Sequence, residues 1–142
     1  FINIDTKEVL GKHKGAAFYT VGQRKGLNIG GTEKPTFVVG KDIEKNEVYV
    51  ALGEDHPMLH KDTVTAGDIR LLVDATMLAT KTVEVKLRHS NIKNKAEILS
   101  IKQVGDRYEM SFKLDEKVFA ITPGQELVMY KNNICLGGGK IL

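Results

Sequence analysis

The chain has 142 residues, of which 42% are hydrophobic and 27% charged, and its net charge is +3. That length holds one ordinary core or two small ones, since single domains run to about 100 to 150 residues, and it excludes a large multidomain enzyme. The composition excludes a disordered, collagen-like or disulfide-dense chain, and no apolar run approaches the roughly 18 residues that suggest a membrane span.

A secretory leader would show a basic, apolar and small-residue succession, and none is present. Cys135 is the single cysteine and cannot form an internal disulfide, so a reducing compartment is expected and the location is read as cytoplasmic. The chain opens on Phe1-Ile2-Asn3-Ile4 instead of a methionine and enters an apolar pattern at once. It reads as a segment of a longer gene product.

In chain order, residues 1 to 4 predict a strand, a turn follows near Asp5-Thr6-Lys7, and a strand through Val9-Leu10 completes a small hairpin. The run His13 to Leu27 is the densest cluster of polar residues and glycines. Thr20 and Gln23 have the spacing of a capping box, which predicts a very short helix with Arg24 and Lys25 in its last turn and Gly26 as its left-handed stop. After the loop Asn28 to Gly31, Thr36-Phe37-Val38-Val39 and Glu47 to Leu52 form a β-hairpin whose connection contains Asn46. Gly53 to Pro57 is a turn, and a module boundary is expected near residue 62.

The remainder is punctuated every eight to twelve residues, the pattern of a barrel or sandwich. Val83, Val85 and Leu87 alternate with Glu84, Lys86 and Arg88, which turns the basic pair away from the core. Tyr108, Met110, Phe112 and Leu114 alternate likewise with Arg107, Glu109, Ser111 and Lys113. Ala96 to Val104 supplies a strand closed by Gly105-Asp106. Pro123-Gly124 turns the chain into Glu126 to Tyr130, Asn132-Asn133 suits the positive φ angles of a tight hairpin, and Ile134-Cys135-Leu136 begins the last strand.

Residues 1 to 62 carry nine Lys or Arg and nine Asp or Glu, whereas residues 63 to 142 carry twelve and nine, so the whole basic excess lies in the second part. The window 81 to 95 holds Lys81, Lys86, Arg88, Lys93 and Lys95 against Glu84 alone. A field of that sign attracts phosphate backbones, though a solvated face of a strand and loop carries the same charges.

Other chemistry is poorly supported. Neither Gly22-Gln23-Arg24-Lys25-Gly26 nor Gly137-Gly138-Gly139 has the frame of a phosphate-cradling loop, and the triple glycine reads as close backbone packing at a strand end or bulge. His56 and His60 are separated by Pro57 and lack further ligands, so they read as residues of a surface turn instead of a metal site. Cys135 sits in an apolar strand and reads as a small buried hydrophobe. For RNA, outward cations and hydrogen-bonding groups near strand ends are supplied by Lys86, Arg88, His89, Lys93, Lys95 and Gln125.

The run HKGAAFYTVGQRKGLNIGG at His13 to Gly31, with Thr122-Pro123-Gly124-Gln125 and Cys135-Leu136-Gly137-Gly138-Gly139, closely resembles the C-terminal half of the bacterial tRNA-specific 2-thiouridylase family, the tRNA-uridine 2-sulfurtransferases. Gly53 to Pro57 and Val85 to His89 resemble further family stretches, and the likeness covers essentially the whole chain. It implies a mainly β fold: a small central module over residues 1–62, then a six-stranded antiparallel β-barrel, similar to translation-factor barrels, over 63–142. It implies an enzyme that uses ATP with Mg to activate the wobble uridine of tRNA and replaces its 2-oxygen with sulfur from a persulfide relay protein. The family's ATP motif and catalytic cysteines have no counterpart in this chain, so the resemblance implies an N-terminal catalytic domain elsewhere, no cofactor of this region's own, and inactivity of this region alone. It implies tRNA contacts at Arg88, His89 and Gln125, His89 standing where the family usually has tyrosine. Arg24, Lys25 and Lys86 are candidate phosphate contacts. The competing readings are a non-catalytic barrel that docks the sulfur-relay partner through its basic face, and a metal-dependent enzyme using His56 and His60.

Overall fold

The computed structural model describes residues 1–87 and 92–142, and these fall into two compact units. Unit one comprises Phe1–Lys61 with Val118–Thr122, and unit two comprises Asp62–Lys117 with Pro123–Leu142.

Unit one is built on a three-stranded sheet of β1 (Ile2–Asn3), β2 (Thr36–Asp42) and β3 (Glu47–Leu52) in the order β1-β3-β2. The antiparallel β2-β3 hairpin is the expected one, and Asn46 in its connection takes φ +54°. At the start of the chain, the buried Asn3 side chain accepts bonds from the amides of Asp5 and Thr6, which makes the turn. Val9 then bridges back to Ile2, as the small hairpin requires. In addition β1 runs parallel to β3, a pairing between residues so distant in sequence that no local pattern signals it. Both sheet faces are covered. Val38, Val48 and Val50 pack with Phe1, Ala16, Tyr19 and Leu27 on one side, while Phe37, Val39, Ala51 and Leu59 form the cluster that Phe119 joins.

The short helix expected at Thr20 to Gly26 is absent. Two turns stand there, and the regular helical turn nearby is a 3-10 turn at Ala16–Phe18. Half of the capping box survives, because Gln23 Oε1 accepts from the Thr20 amide at 3.1 Å. The main chain cannot continue as a helix for two reasons. Gly22 lies at φ +89°, and the Gly22 N–H and Gln23 C=O are spent on Val38 of β2 at 2.8 and 3.0 Å. Gly22 is also a point of close approach within unit one, where any Cβ would press on the Ala120 methyl group at 2.5 Å.

Unit two is a closed six-stranded antiparallel barrel in the order β4-β7-β6-β5-β8-β9. Its strands are β4 (His60–Leu71), β5 (Thr82–Leu87), β6 (Asn94–Val104), β7 (Arg107–Phe119), β8 (Glu126–Lys131) and β9 (Ile134–Ile141). The ends of β4 and β7 are counted with unit one. Alternation fills the interior with Val83, Val85, Leu87, Met110, Phe112, Leu114, Leu127, Met129 and Leu136. Asn132 and Asn133 take φ +50° and +65°, the angles of the tight β8-β9 turn that their side chains tolerate best.

The triple glycine lies in β9 between β8 and β4. A Cβ at Gly137 would strike the Arg70 carbonyl, one at Gly138 would reach the Leu127 carbonyl at 2.7 Å, and one at Gly139 would strike the Gly67 carbonyl. The register with both neighbours shifts beside this run, through an extra residue on β4 and through Leu136 of β9 itself. Close backbone packing is therefore its role. Cys135 differs from the expectation: it is half-buried, not buried, on the strand position paired with Tyr130 beyond a bulge. Among the described residues no helix is long and apolar enough to cross a membrane.

Gly22→Ala should destabilise the protein by about 1–3 kcal/mol, because it combines a left-handed φ with overpacking. Urea denaturation followed by circular dichroism measures this, and an unchanged midpoint would show that the turn has room to shift.

Candidate nucleic-acid interface

Strand alternation decides which cations reach solvent. On β5 the inward Val83, Val85 and Leu87 leave Glu84 and Lys86 outside, and on β8 the inward Leu127 and Met129 leave Val128 and Tyr130 outside. The register sets Glu84 opposite Tyr130 and Lys86 opposite Val128, so all four share one outer patch. On the other side of β5, Glu84 pairs with Lys95 of β6.

Tyr130 is the centre of this patch. The Lys86 ammonium lies 5.3 Å from its ring centroid and the Lys93 ammonium 4.7 Å. Each such contact contributes about 0.5–1 kcal/mol at an exposed site. Lys93 Nζ also donates to Asn133 Oδ1 at 2.9 Å, which ties the lysine to the tight turn. Lys131, next to Tyr130 in sequence, donates to Thr80 Oγ1. A groove of about 320 Å³ runs beside them, lined by Thr80, Thr82, Glu84, Lys95, Tyr130 and Lys131.

Among the described residues, two cations of the barrel are held in ion pairs. Lys113 bonds Asp62 at 2.5 Å, and Arg107 stands 3.9 Å from both Asp68 and Asp106. Among the described residues no carboxylate lies within ion-pair distance of Lys86, Lys93, Lys95 or Lys131. The charge of this face is thus left for solvent or a ligand.

Gln125 stands at the foot of β8, half-buried. Its carbonyl accepts from the Ile141 amide at 2.8 Å, and the Gly124 amide donates to the Ile141 carbonyl at 2.7 Å. With Pro123 before it and Gly124 at φ +87°, the turn has the residues and the positive φ of a type II turn. Leu87, the last residue of β5, pairs with Leu127, so Lys86 and Gln125 approach the same end of the barrel face. Arg88 and His89 lie outside the described residues.

Arg24 and Lys25 belong to unit one and are exposed. Arg24 lines a hollow with Asn28, Thr32, Lys34 and Thr36, and the Lys25 carbonyl accepts from Gln23 Nε2 at 3.0 Å. The histidines serve local structure. His56 Nδ1 accepts the Met58 amide and its Nε2 faces Asp5 at 3.2 Å, while His60 Nε2 bonds the Glu54 carbonyl at 2.9 Å. Among the described residues no three His, Cys, Asp or Glu side chains converge on a metal-sized site.

The sequence pattern singled out Lys86 and Lys93 but missed Tyr130 and Asn133. The signal is present in the sequence: Glu126 to Tyr130 reads as a strand, and with Leu127 and Met129 inward the alternation turns Tyr130 outward.

Two family profiles match the chain in succession. The one described as tRNA methyl transferase PRC-barrel domain covers residues 1–52, and the one described as aminomethyltransferase beta-barrel domain covers residues 61–141. Among curated proteins, a tRNA-specific 2-thiouridylase of Chlamydia abortus is 41% identical over 140 residues, covering 99% of this chain and 37% of the relative. One from Mesoplasma florum is 41% identical with the same coverage, and one from Listeria monocytogenes is 42% identical over 94% of this chain and 35% of the relative. The chain therefore spans little more than a third of the length of these relatives.

The Lys113 bond holds the Asp62 carboxyl below its usual range, with the Lys113 and Lys117 charges adding to the effect. A carboxyl lowered in the folded state stabilises it fully above the unfolded value of about 3.9, and that contribution is lost as pH falls through the folded value. Urea midpoints at pH 6 and pH 3 should fall less steeply with acid in Asp62→Asn than in the parent protein, and equal slopes would contradict the pairing.

Proposed function

The chain belongs to the tRNA-specific 2-thiouridylase family, and from that premise we propose that it is the part of such an enzyme that holds tRNA while another domain reacts with it. The observation that carries this reading is the outward cluster of Lys86, Lys93, Lys95 and Lys131 around Tyr130, with no carboxylate in ion-pair range among the described residues. Ammonium groups so placed suit the phosphate backbone, contacts that set position and register without reading sequence.

In this proposal residues 1–62 are the central module and 63–142 the tRNA-holding barrel. Arg88, His89 and Gln125 contact tRNA, with Arg24, Lys25 and Lys86 on phosphates. Gln125 supports this through its fixed turn at the barrel end where Lys86 lies. The whole enzyme exchanges the 2-oxygen of a wobble uridine for sulfur in the cytoplasm, using ATP and a persulfide relay protein. Its ATP site and catalytic cysteines belong to another domain, so this region alone would not thiolate. Its contribution is positional: fixing the tRNA body turns the encounter of base and catalytic pocket into an effectively unimolecular step.

In the whole enzyme, Arg88→Ala should weaken tRNA binding by an amount on the order of 1–3 kcal/mol, and Gln125→Ala by a smaller amount within the same range. The loss should appear in KM for tRNA, with kcat at saturating tRNA retained, as expected when binding energy common to ground and transition states is removed. Filter binding and single-turnover thiolation read both quantities. Unchanged affinity in both variants would overturn the assignment.

A further inference from the structure

We propose that Lys86 and Lys93, held over the Tyr130 ring, form a two-point clamp for a phosphodiester of the bound RNA, a contact separate from Arg88, His89 and Gln125. The inference rests on the reading that the barrel binds tRNA, and it concerns where along the barrel the RNA backbone runs.

Lysine side chains ordinarily sweep through many rotamers, and ordering them opposes binding. Here both ammonium groups converge on one aromatic ring before any ligand arrives, at 5.3 and 4.7 Å from its centroid. Lys93 is fixed a second time by Asn133 Oδ1, whose residue sits in a turn with φ +65°. Much of the ordering is therefore built into the free protein, which leaves more of the Coulomb attraction available for a ligand. Two like charges gathered at one ring repel each other, and a shared anion relieves that repulsion. A phosphodiester presents one charge over two free oxygens, a match for two ammonium groups.

Glu84 gives the clamp a direction. It lies opposite Tyr130 in the register, between that ring and Lys95, and it pairs with neither lysine of the clamp. A phosphate is thus repelled from the Glu84 side and drawn toward Lys86, whose register partner Val128 is three residues along the chain from Gln125. At about 3.3 Å per residue, that separation places the backbone position opposite Lys86 roughly 10 Å from Gln125.

The test is the salt dependence of tRNA binding by the whole enzyme, read as the slope of log K against log salt between about 50 and 200 mM. The double variant Lys86→Ala with Lys93→Ala should flatten the slope by about 1, since it removes one neutralised phosphate, and each single variant should flatten it by a part of that. Tyr130→Phe keeps the ring and should leave the slope as it was, whereas Tyr130→Ala should move it toward that of the double lysine variant. Lys102→Ala, on the exposed β6-β7 hairpin, is the control and should change nothing. Parent-like slopes in both lysine variants, with Arg88→Ala and Gln125→Ala still weakening binding, would overturn the clamp and leave the tRNA-holding reading intact. If all four bound tRNA as the parent does, both would fail. If the lysine variants instead lost affinity for the sulfur-relay protein at unchanged tRNA slope, the patch would serve a protein partner and the clamp would be wrong.

Discussion

The barrel closes because β9 has no side chains where it passes between β8 and β4. The carbonyls of Arg70, Leu127 and Gly67 occupy the space that Cβ atoms at 137, 138 and 139 would need. That close approach lets the last strand bond to both neighbours and complete the ring of six. Closure then fixes which side of each strand is wet. With Leu127, Met129, Val85 and Leu87 committed to the interior, Tyr130 and Lys86 have only the outer surface left. The outer patch is in this sense a consequence of the core.

Local signals made most of the barrel legible. Hydrophobic alternation in Val83 to Leu87 and Tyr108 to Leu114 gave the inward and outward faces, and Asn132-Asn133 gave the hairpin that later anchors Lys93. The strand β4 is hidden in the sequence, because its twelve residues, HKDTVTAGDIRL, are largely polar and are broken by a bulge near Asp68, which takes φ +51°. The turns at Thr20 to Gly26 carry the sequence pattern of a helix start because Thr-x-x-Gln serves equally to close a turn, and only the long-range bonds to Val38 decide between them.

The signature GQRKG illustrates the same limit. Its first glycine answers to Ala120, a residue about a hundred positions away that belongs to the same compact unit. Within that unit Thr122 Oγ1 also bonds the Val21 carbonyl at 3.3 Å, and the Ala120 amide bonds the Leu59 carbonyl at 2.6 Å. Part of what looks like a motif with chemistry is therefore packing, while its cations, Arg24 and Lys25, remain on the surface. The carboxylate pairing of Lys113 and Arg107 is equally invisible in sequence, as is the convergence of Lys86 and Lys93 on Tyr130.

The central claim is that the outer face around Tyr130 is covered when tRNA binds. Lysine acetylation of the whole enzyme, quantified by mass spectrometry with and without tRNA, tests it directly. The account predicts protection of Lys86, Lys93, Lys95 and Lys131 by tRNA, with Lys45 and Lys102 reacting as before. Equal modification of the four lysines in the free and tRNA-bound enzyme would contradict it.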